Sequence, residues 1–372
     1  MFQQNSGRCA RFFVASCAIM LATACGGSDD DDGDNGSLRV VNATADVDSI
    51  DLTIEGVDDD NDDEEERRFA EAVARDGQTD YVAIGDGNWR VRLKRAGASS
   101  SLALNSAAIS SDERYTLFAY GREGDYRLYA AIDDEDEPSS GKAKVRVFNA
   151  AADAGSVDVY LTESNASLDD TIPTASNVAG ATLGFYSTVD RGTYRLRVTA
   201  INDKDDVRLD VEGLELANLS RVTIVLQPGP GGVLVNALIS QYQGALSTLK
   251  NGFARARLVA GASNNAAVTA DLGSTSLNVN LRSPSIASYA LVPAGAASAA
   301  IQVNATTALS GNVTLVPGGD YTLAVYGDAA APSWRLIADD NRPPASSERA
   351  KMRLLHMAFG TEGIYAVPTL VS

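Results

Sequence analysis

The chain has 372 residues, 45% of them hydrophobic, which allows about two to four domains with packed cores. Its formal net charge of −18 argues against a nucleic acid partner, because such partners are bound through clusters of Lys and Arg that displace counterions. The cysteines are Cys9, Cys17 and Cys25 and the single histidine is His356, so no disulfide or thiolate metal site can form within the chain after Cys25.

The N-terminal segment, residues 1–24, resembles the signal peptide of a bacterial lipoprotein. Arg8 and Arg11 form a basic start, and residues 12–21 form an apolar stretch that is too short to span a bilayer. Small residues then precede Cys25. We predict removal of residues 1–24 and lipidation of Cys25. The alternative is an ordinary signal peptide cut after an Ala-x-Ala motif, with Cys25 incidental.

Residues 25–36 are predicted to be an acidic tether, because a run rich in Gly and Asp cannot bury apolar area. In enteric lipoproteins, an Asp directly after the lipidated cysteine directs retention in the inner membrane, and here that residue is Gly26. The resemblance therefore implies an outer-membrane protein that is anchored in the lipid bilayer by an N-terminal acyl group. Its orientation, towards the periplasm or the outside, is left open.

A motif of the type Val-Arg-Val recurs along the chain. It opens at residues 38–43, 145–150, 256–261 and 352–358, and its aligned arginines are Arg39, Arg146, Arg257 and Arg353. A spacing of roughly 100 residues matches the length of an immunoglobulin-like sandwich. We predict three β-sandwich domains and a partial fourth repeat that packs on the third domain, over residues 37–137, 143–245, 252–342 and 349–372.

The segments after each opening motif are short, rich in β-branched and aromatic residues, and bounded by Gly, Asn, Asp and Pro. Residues 89–93 alternate apolar and charged side chains, as a half-buried strand does. The pattern predicts an all-β fold of tandem antiparallel immunoglobulin-like β-sandwich domains. Residues 64–75 are the exception and have a helical pattern, so we predict a helix there. The glycine-rich run at residues 227–232 predicts a hairpin turn.

Two further segments recur. Residues 49–54, Ser-Ile-Asp-Leu-Thr-Ile, match residues 156–161, and residues 115–121 match residues 321–327. Together with the opening motif, these segments resemble the DUF4397 family, whose domains occur in bacterial envelope and secreted proteins. The resemblance covers most of residues 37–342 in three copies. It implies a β-sandwich fold and an envelope location, and it implies no catalytic residues.

Carboxylates supply the candidates for a metal site. Asp133, Asp134, Asp339 and Asp340 lie just before the openings of the following repeats, and calcium takes about six to eight oxygen ligands. Calcium at these junctions would stiffen the string of domains. No loop has the spacing of a known calcium motif, so we predict no metal site and keep these four residues as the candidates for one.

The remaining polar groups do not predict an active site. His356 aligns with Asn42 and Asn149, and a side-chain hydrogen bond on a strand explains all three. The acidic run at residues 58–66 predicts a solvated loop rather than a rigid pair of carboxylates. We therefore favour a non-catalytic envelope lipoprotein for binding, adhesion or envelope structure, with an envelope protein or a glycan as partner and no cofactor. The alternative is a glycan-active or other hydrolytic enzyme that uses carboxylates.

Overall fold

The computed structural model describes residues 35–57, 66–344, 348–357 and 360. These residues lie in one compact unit and form strands almost throughout. The one helical element in this part of the chain is a short 3-10 turn, Ala152–Ala154. Within the same ranges, no helix has the length and apolar character needed to cross a bilayer. The predicted all-β class is confirmed.

The first sandwich contains strands β1 to β8: β1 (Asn35–Thr44), β2 (Ser49–Gly56), β3 (Arg67–Ala74), β4 (Val82–Gly85), β5 (Gly87–Arg95), β6 (Ser101–Ile109), β7 (Arg114–Arg122) and β8 (Asp125–Ile132). Sheet 1A has the order β4-β1-β7-β8, and sheet 1B has the order β3-β2-β5-β6. Side chains that point inwards from both sheets, among them Leu38, Leu52, Val91 and Leu117, are at most 1% exposed. They form one shared core.

The second sandwich contains strands β9 to β17: β9 (Lys142–Asn149), β10 (Val157–Thr162), β11 (Ala175–Val178), β12 (Ser187–Asp190), β13 (Gly192–Ala200), β14 (Asp203–Leu216), β15 (Arg221–Pro228), β16 (Val235–Gln241) and β17 (Ser247–Leu249). Sheet 2A has the order β12-β9-β15-β16-β17, and sheet 2B has the order β11-β10-β13-β14. A separate core lies between these two sheets.

The third sandwich contains strands β18 to β26: β18 (Phe253–Ala262), β19 (Ala267–Leu272), β20 (Thr275–Arg282), β21 (Ser285–Ile286), β22 (Ala290–Pro293), β23 (Gly295–Val303), β24 (Thr307–Leu315), β25 (Asp320–Asp328) and β26 (Ala331–Asp339). Sheet 3A has the order β21-β18-β25-β26, with β22 also paired to β18, and sheet 3B has the order β20-β19-β23-β24. A third, separate core lies between these two sheets.

The opening strand of each sandwich pairs in parallel with a strand much later in the same repeat, whereas every other described pair of strands is antiparallel. The parallel pairs are β1 with β7, β9 with β15 and β18 with β25. A parallel pair needs a long connection, and here the chain supplies it by crossing to the second sheet and back. The antiparallel prediction therefore holds for all but one pair in each sandwich.

The predicted helix at residues 64–75 is wrong. Residues 67–74 form β3, which pairs antiparallel with β2 at the edge of sheet 1B. The side chain of Asp51 fixes a bulge in this pairing, because it accepts hydrogen bonds from the backbone N–H groups of Ala72, at 2.8 Å, and Gly97, at 2.9 Å. Ala72 has a φ of 49°, a value that interrupts a helix. The need to pair β2 overrides a local helical preference.

The same device recurs in the second sandwich and explains the aspartate shared by the two matching motifs. Asp158 accepts hydrogen bonds from the backbone N–H groups of Asn177, at 2.8 Å, and Asn202, at 2.9 Å. Asn177 also has a positive φ, 51°. Each motif aspartate therefore holds an edge bulge and an adjacent turn.

The first and second sandwiches are joined by a fourth apolar cluster that lies between sheets 1A and 2A. Phe118 of β7 and Phe148 of β9 are both fully buried there, and their stacked rings are 4.8 Å apart between centroids. Val41, Val225 and Leu238 complete the centre of the cluster. The outer faces of two sheets are thus buried against each other.

The second and third sandwiches meet at the glycine-rich run predicted to be a hairpin turn, which does connect β15 to β16. The backbone N–H of Gly231 donates to the carbonyl oxygen of Gly318 at 3.0 Å, and the N–H of Asn341 donates back to Gly231 at 3.2 Å. A Cβ at Gly231 would lie only 2.5 Å from the carboxyl carbon of Asp320. A glycine is required here because of this close approach.

The C-terminal segment, defined here as residues 348–357, contains no strand. The third core consists of residues between Ala254 and Leu336, so the described part of this segment does not supply strands to the third sandwich. The rest of the predicted partial fourth repeat, residues 358–359 and 361–372, lies outside the described residues.

Candidate functional site: a repeated arginine cluster

The opening arginine of the first sandwich is buried in a polar cluster. Arg39 is 3% exposed, and its Nε donates to Thr116 Oγ1 at 2.7 Å. Thr116 in turn donates to the carboxylate of Asp133. The guanidinium lies 4.6 Å from the ring centroid of Tyr81, and the Tyr81 hydroxyl donates to Asp133 Oδ2 at 2.6 Å. The Asp133 carboxylate therefore accepts hydrogen bonds from two separate elements of the first sandwich.

The backbone places these residues side by side. Arg39 and Thr116 are partners in the parallel pair β1–β7, and Tyr81 precedes β4, the other neighbour of β1. Asp133 follows β8, and its N–H donates to Arg114 at 2.7 Å. Burial, together with the charge of Asp133, raises the pKa of Tyr81 well above its usual value. The Tyr81 hydroxyl therefore stays protonated and remains a donor.

A second arginine reaches the same carboxylate from the next sandwich. Arg146 of β9 donates to Asp133 Oδ1 through Nη2, and to the carbonyl oxygen of Ile132 through Nη1 at 2.9 Å. Asp133 is 2% exposed and Arg146 is 5% exposed. The cluster is thus sealed between the two sandwiches.

The junction is reciprocal. Arg39 of the first sandwich donates to the carbonyl oxygen of Gln241 in the second at 2.6 Å, as Arg146 does to Ile132. Arg146 also repeats the internal contacts of Arg39, since its Nε donates to Thr223 at 2.9 Å and its guanidinium lies 4.6 Å from the ring of Tyr186. Two copies of one repeat therefore pack face to face with a local two-fold relation, as in an isologous interface.

The third sandwich contains the same cluster. Arg257 Nε donates to Thr322 at 3.0 Å and lies 4.7 Å from the ring of Tyr289. Thr322 and Tyr289 donate to Asp339 at 2.5 Å and 2.7 Å. The arginine that approaches from outside is Arg353, which donates to Asp339 at 2.5 Å and to the carbonyl oxygen of Ala338 at 3.0 Å. These two bonds repeat those of Arg146.

The outer face of sheet 3A also carries a groove of about 520 Å³, lined by Arg257, Val259, Gly261, Ile286, Leu355 and Met357 among others. The corresponding face of sheet 1A is covered by the second sandwich. Ile286 is 63% exposed. This groove therefore lies on the face of sheet 3A that corresponds to the buried outer face of sheet 1A.

Three of the four calcium candidates, Asp133, Asp339 and Asp340, are paired with protein cations. Asp133 and Asp339 hold the arginines described above, and Asp340 pairs with Arg342 and Lys351, each at 2.7 Å. The hydrogen bond from Arg342 keeps the pKa of Asp340 far below its usual value. Asp134 is exposed. Within the described ranges, no group of three or more His, Cys, Asp or Glu side chains could hold a metal ion.

The other candidates from the sequence are dispersed. Cys25 and residues 58–65 lie outside the described residues. Asn42 and Asn149 are fully buried and donate to backbone carbonyl oxygens, as expected for strand positions, whereas His356 is exposed on the C-terminal segment.

One further arginine has an incomplete set of partners. Arg197 is 6% exposed, and its Nη2 donates to Thr162 at 2.7 Å. Its Nε is the one buried side-chain polar atom in the described part of the chain that has no hydrogen-bond partner. Burial, and then the neighbouring Arg195, lower the pKa of Arg197. At the position of Thr162, the first sandwich has Glu55, which pairs with two arginines.

The four opening arginines align in the sequence, but their role could not be predicted from the sequence alone. Their recurrence at one motif position was the available signal. Their partners could not be found in this way, because Tyr81, Thr116 and Asp133 come from separate strands and Arg146 belongs to the next repeat.

The fold and its clusters define a tandem β-sandwich protein whose first two repeats are joined through buried arginine–carboxylate contacts. The family model described as "Domain of unknown function (DUF4397)" matches residues 36–160 and 254–365. These matches span more than half of the chain, so the chain belongs to the DUF4397 family. The matches begin in the first and third sandwiches rather than in all three, and each continues into the opening of the repeat that follows.

Solved structures show only distant similarity. The Bacillus anthracis TIE protein is 9% identical with a TM-score of 0.18, and the alignment covers 78% of this chain and 50% of that one. A Bacteroides uniformis protein provisionally described as a cell adhesion protein is 11% identical with a TM-score of 0.23, over 54% of this chain and 99% of that one. The multi-modular glycogen-degrading pneumococcal virulence factor SpuA is 10% identical with a TM-score of 0.19, over 74% and 37%. No curated protein matches the chain.

Proposed function

We propose that this protein is a lipid-anchored protein of the bacterial outer membrane whose β-sandwiches serve binding, adhesion or envelope structure rather than catalysis. The observation that carries the proposal is the position of the strongest polar cluster. Arg39, Asp133 and Arg146 are at most 5% exposed and satisfy one another between two sandwiches. Such a cluster holds repeats together and offers no carboxylate to a substrate.

The sequence supports the anchor and the class of partner. The apolar stretch, the small residues before Cys25 and the acidic tether are typical of an exported lipoprotein. The net charge of −18 disfavours nucleic acid and anionic lipid headgroups as ligands. An envelope protein or a glycan is the partner that fits a string of sandwiches outside the cytoplasm.

Membrane fractionation of wild type and Cys25→Ser tests the anchor. We expect the wild type in the outer-membrane fraction, with a diacylglyceryl-modified Cys25 as the new N-terminus in mass spectrometry, and the variant in the soluble fraction. Cys17→Ser is the matched control and should fractionate as wild type. An unmodified N-terminus at Cys25 in the wild type contradicts the anchor.

A glycan array incubated with soluble residues 34–372 tests the binding role. Retention on defined glycans, with no change in their mass after prolonged incubation, is the expected result for a glycan-binding protein. Shortening or release of a bound glycan would instead show the hydrolytic activity that the proposal excludes.

A further inference from the structure

We propose that the outer face of sheet 3A is a binding site for an extended peptide strand with a central arginine, and that its occupant is the C-terminal part of the chain, residues 349–357. The site consists of the Asp339 cluster and the groove over Val259 and Gly261. Its ligand class is an arginine followed at alternate positions by apolar side chains, as in Arg353, Leu355 and Met357.

The first support is the equivalence of two arginines. Arg353 contacts the carboxylate of Asp339 and the carbonyl oxygen of Ala338, the residue before it. Arg146 makes the same pair of contacts with Asp133 and Ile132. Since Arg146 sits on a strand that is docked on sheet 1A, Arg353 marks the same docking position on sheet 3A.

The second support is that a smaller residue on the sheet is matched by a larger residue on the segment. In the junction of the first two sandwiches, Ala43 and Ala150 lie in the same apolar cluster. The aligned residues here are Gly261 and Met357, and a Cβ at Gly261 would lie 2.1 Å from Cε of Met357. The glycine thus leaves the space that the larger methionine fills.

The third support is the alternation of the segment. Arg353, Leu355 and Met357 line the groove, whereas Met352 and Leu354 are 76% and 56% exposed. Their counterparts in β9, Val145 and Val147, face the second core and are at most 3% exposed. The segment therefore turns the same face towards sheet 3A that β9 turns towards sheet 1A.

The family matches agree with this assignment. One ends at residue 160 and the other at residue 365, so both include a sandwich and the opening of the next repeat. A binding site for that opening is then part of the repeating unit itself.

Chymotryptic cleavage after Leu354 and Leu355, followed by mass spectrometry, tests the occupant in the chain from residue 34 onwards. Arg353→Ala removes the anchor, and Gly261→Val blocks the groove without altering the segment. We expect cleavage at least ten times faster in both variants, with circular dichroism unchanged. Arg282→Ala, on sheet 3B, is the control and should match wild type.

A peptide of residues 349–357 tests recognition directly. Added to the Arg353→Ala chain and followed by fluorescence anisotropy, it should bind at least ten times more tightly than the same peptide with Arg353→Ala. Equal cleavage of wild type and variants, or equal binding of the two peptides, overturns the proposal. Protection from cleavage that is lost on dilution would overturn the assignment to the same chain and indicate exchange of segments between two copies.

Discussion

Asp133 in the first sandwich and Tyr242 in the second occupy equivalent positions. The N–H of Asp133 donates to Arg114 at 2.7 Å, and the N–H of Tyr242 donates to Arg221, the residue that corresponds to Arg114, at 2.9 Å. The Asp133 carboxylate accepts a hydrogen bond from Arg146 and forms an ion pair with Arg39 at 3.8 Å. The ring of Tyr242 instead lies 3.5 Å from the guanidinium of Arg221 and 5.3 Å from that of Arg114. The junction therefore contains one carboxylate, that of Asp133. The equivalent position in the second sandwich is occupied by the aromatic ring of Tyr242.

This single carboxylate should dominate the coupling of the two sandwiches. We expect Asp133→Ala or Arg146→Ala to lower the free energy of unfolding by about 3–5 kcal/mol, because removal of one partner leaves a buried charge. The double variant should lose much less stability than the sum of the losses of the two single variants. Urea unfolding of all four proteins measures this cycle.

The control for the cycle of Asp133 and Arg146 is an exposed ion pair. Arg127 and Asp125 form this pair, and their side chains are 52% and 38% exposed. Arg127→Ala should cost under about 1 kcal/mol. Additive losses for Asp133 and Arg146 would show that the two residues do not act as a pair.

The apolar cluster between sheets 1A and 2A predicts that the second sandwich is less stable alone than beside the first. A fragment of residues 143–250 should give a β-type circular dichroism spectrum and a cooperative melt, at a lower temperature than residues 34–250, because Phe148 and Leu238 become exposed. Phe118→Ala in the longer fragment should cost about 3–5 kcal/mol.

Phe185→Ala is the matched control for Phe118→Ala, since Phe185 is 96% exposed and its loss should change stability by less than about 0.5 kcal/mol. Equal melting temperatures for the two fragments would mean that the cluster between the sandwiches contributes nothing to stability.

Stability should depend on pH through Asp51. Burial raises the pKa of Asp51, but hydrogen bonds from Ala72 and Gly97 and nearby cations outweigh it and leave the pKa below its usual value. A lowered pKa stabilises the fold above the unfolded pKa of about 3.9, and this contribution disappears as pH falls through the folded pKa.

Asp51→Asn should therefore be less stable than wild type at pH 7, by about 1.5–3 kcal/mol for a charge-assisted hydrogen bond. The difference should narrow below about pH 4. Thermal melts between pH 2 and pH 7 measure it, and Asp134→Asn, an exposed position, controls for the change in net charge. A difference that grows towards acid pH would reverse the assigned sign.

The unpartnered Nε of Arg197 predicts a stabilising substitution. A buried polar atom without a partner costs about 1–3 kcal/mol, so we expect Arg197→Met to raise the free energy of unfolding by about 1 kcal/mol. Arg195 offers the contrast, because it holds Asp210 through two bonds of 2.6 Å. Arg195→Met should destabilise the protein. Chemical unfolding that ranks the two variants the other way would contradict this account.

Part of this architecture could be predicted from the sequence. The opening motif with Arg39 and Arg146 predicted repeated strands, because apolar residues alternate around a fixed position, and the aspartates of the Ser-Ile-Asp and Ser-Val-Asp motifs recur because each holds a bulge. The parallel pairing of β1 with β7 could not be predicted, since alternation does not specify strand direction.

The helical pattern of residues 64–75 misled for a related reason. Propensity describes a segment alone, whereas β3 forms because β2 needs an edge partner. The candidate site was missed because its members are distant in sequence: Tyr81 precedes one edge strand, Asp133 follows another, and Arg146 belongs to the next domain. Only pairing in three dimensions brings them together.

The reciprocal packing of sheets 1A and 2A limits how such a chain can grow. In a solenoid, each unit has one surface for the unit before it and another for the unit after it, so units can be added one at a time without end. Here the first and second sandwiches contact each other through equivalent surfaces, the outer faces of sheets 1A and 2A. Once these faces are packed together, neither can bind a further repeat. Additional repeats of this design would form closed pairs that are linked by contacts such as the one at Gly231. Whether a repeat has an even or an odd position in the chain would then decide whether its arginine face is buried or available.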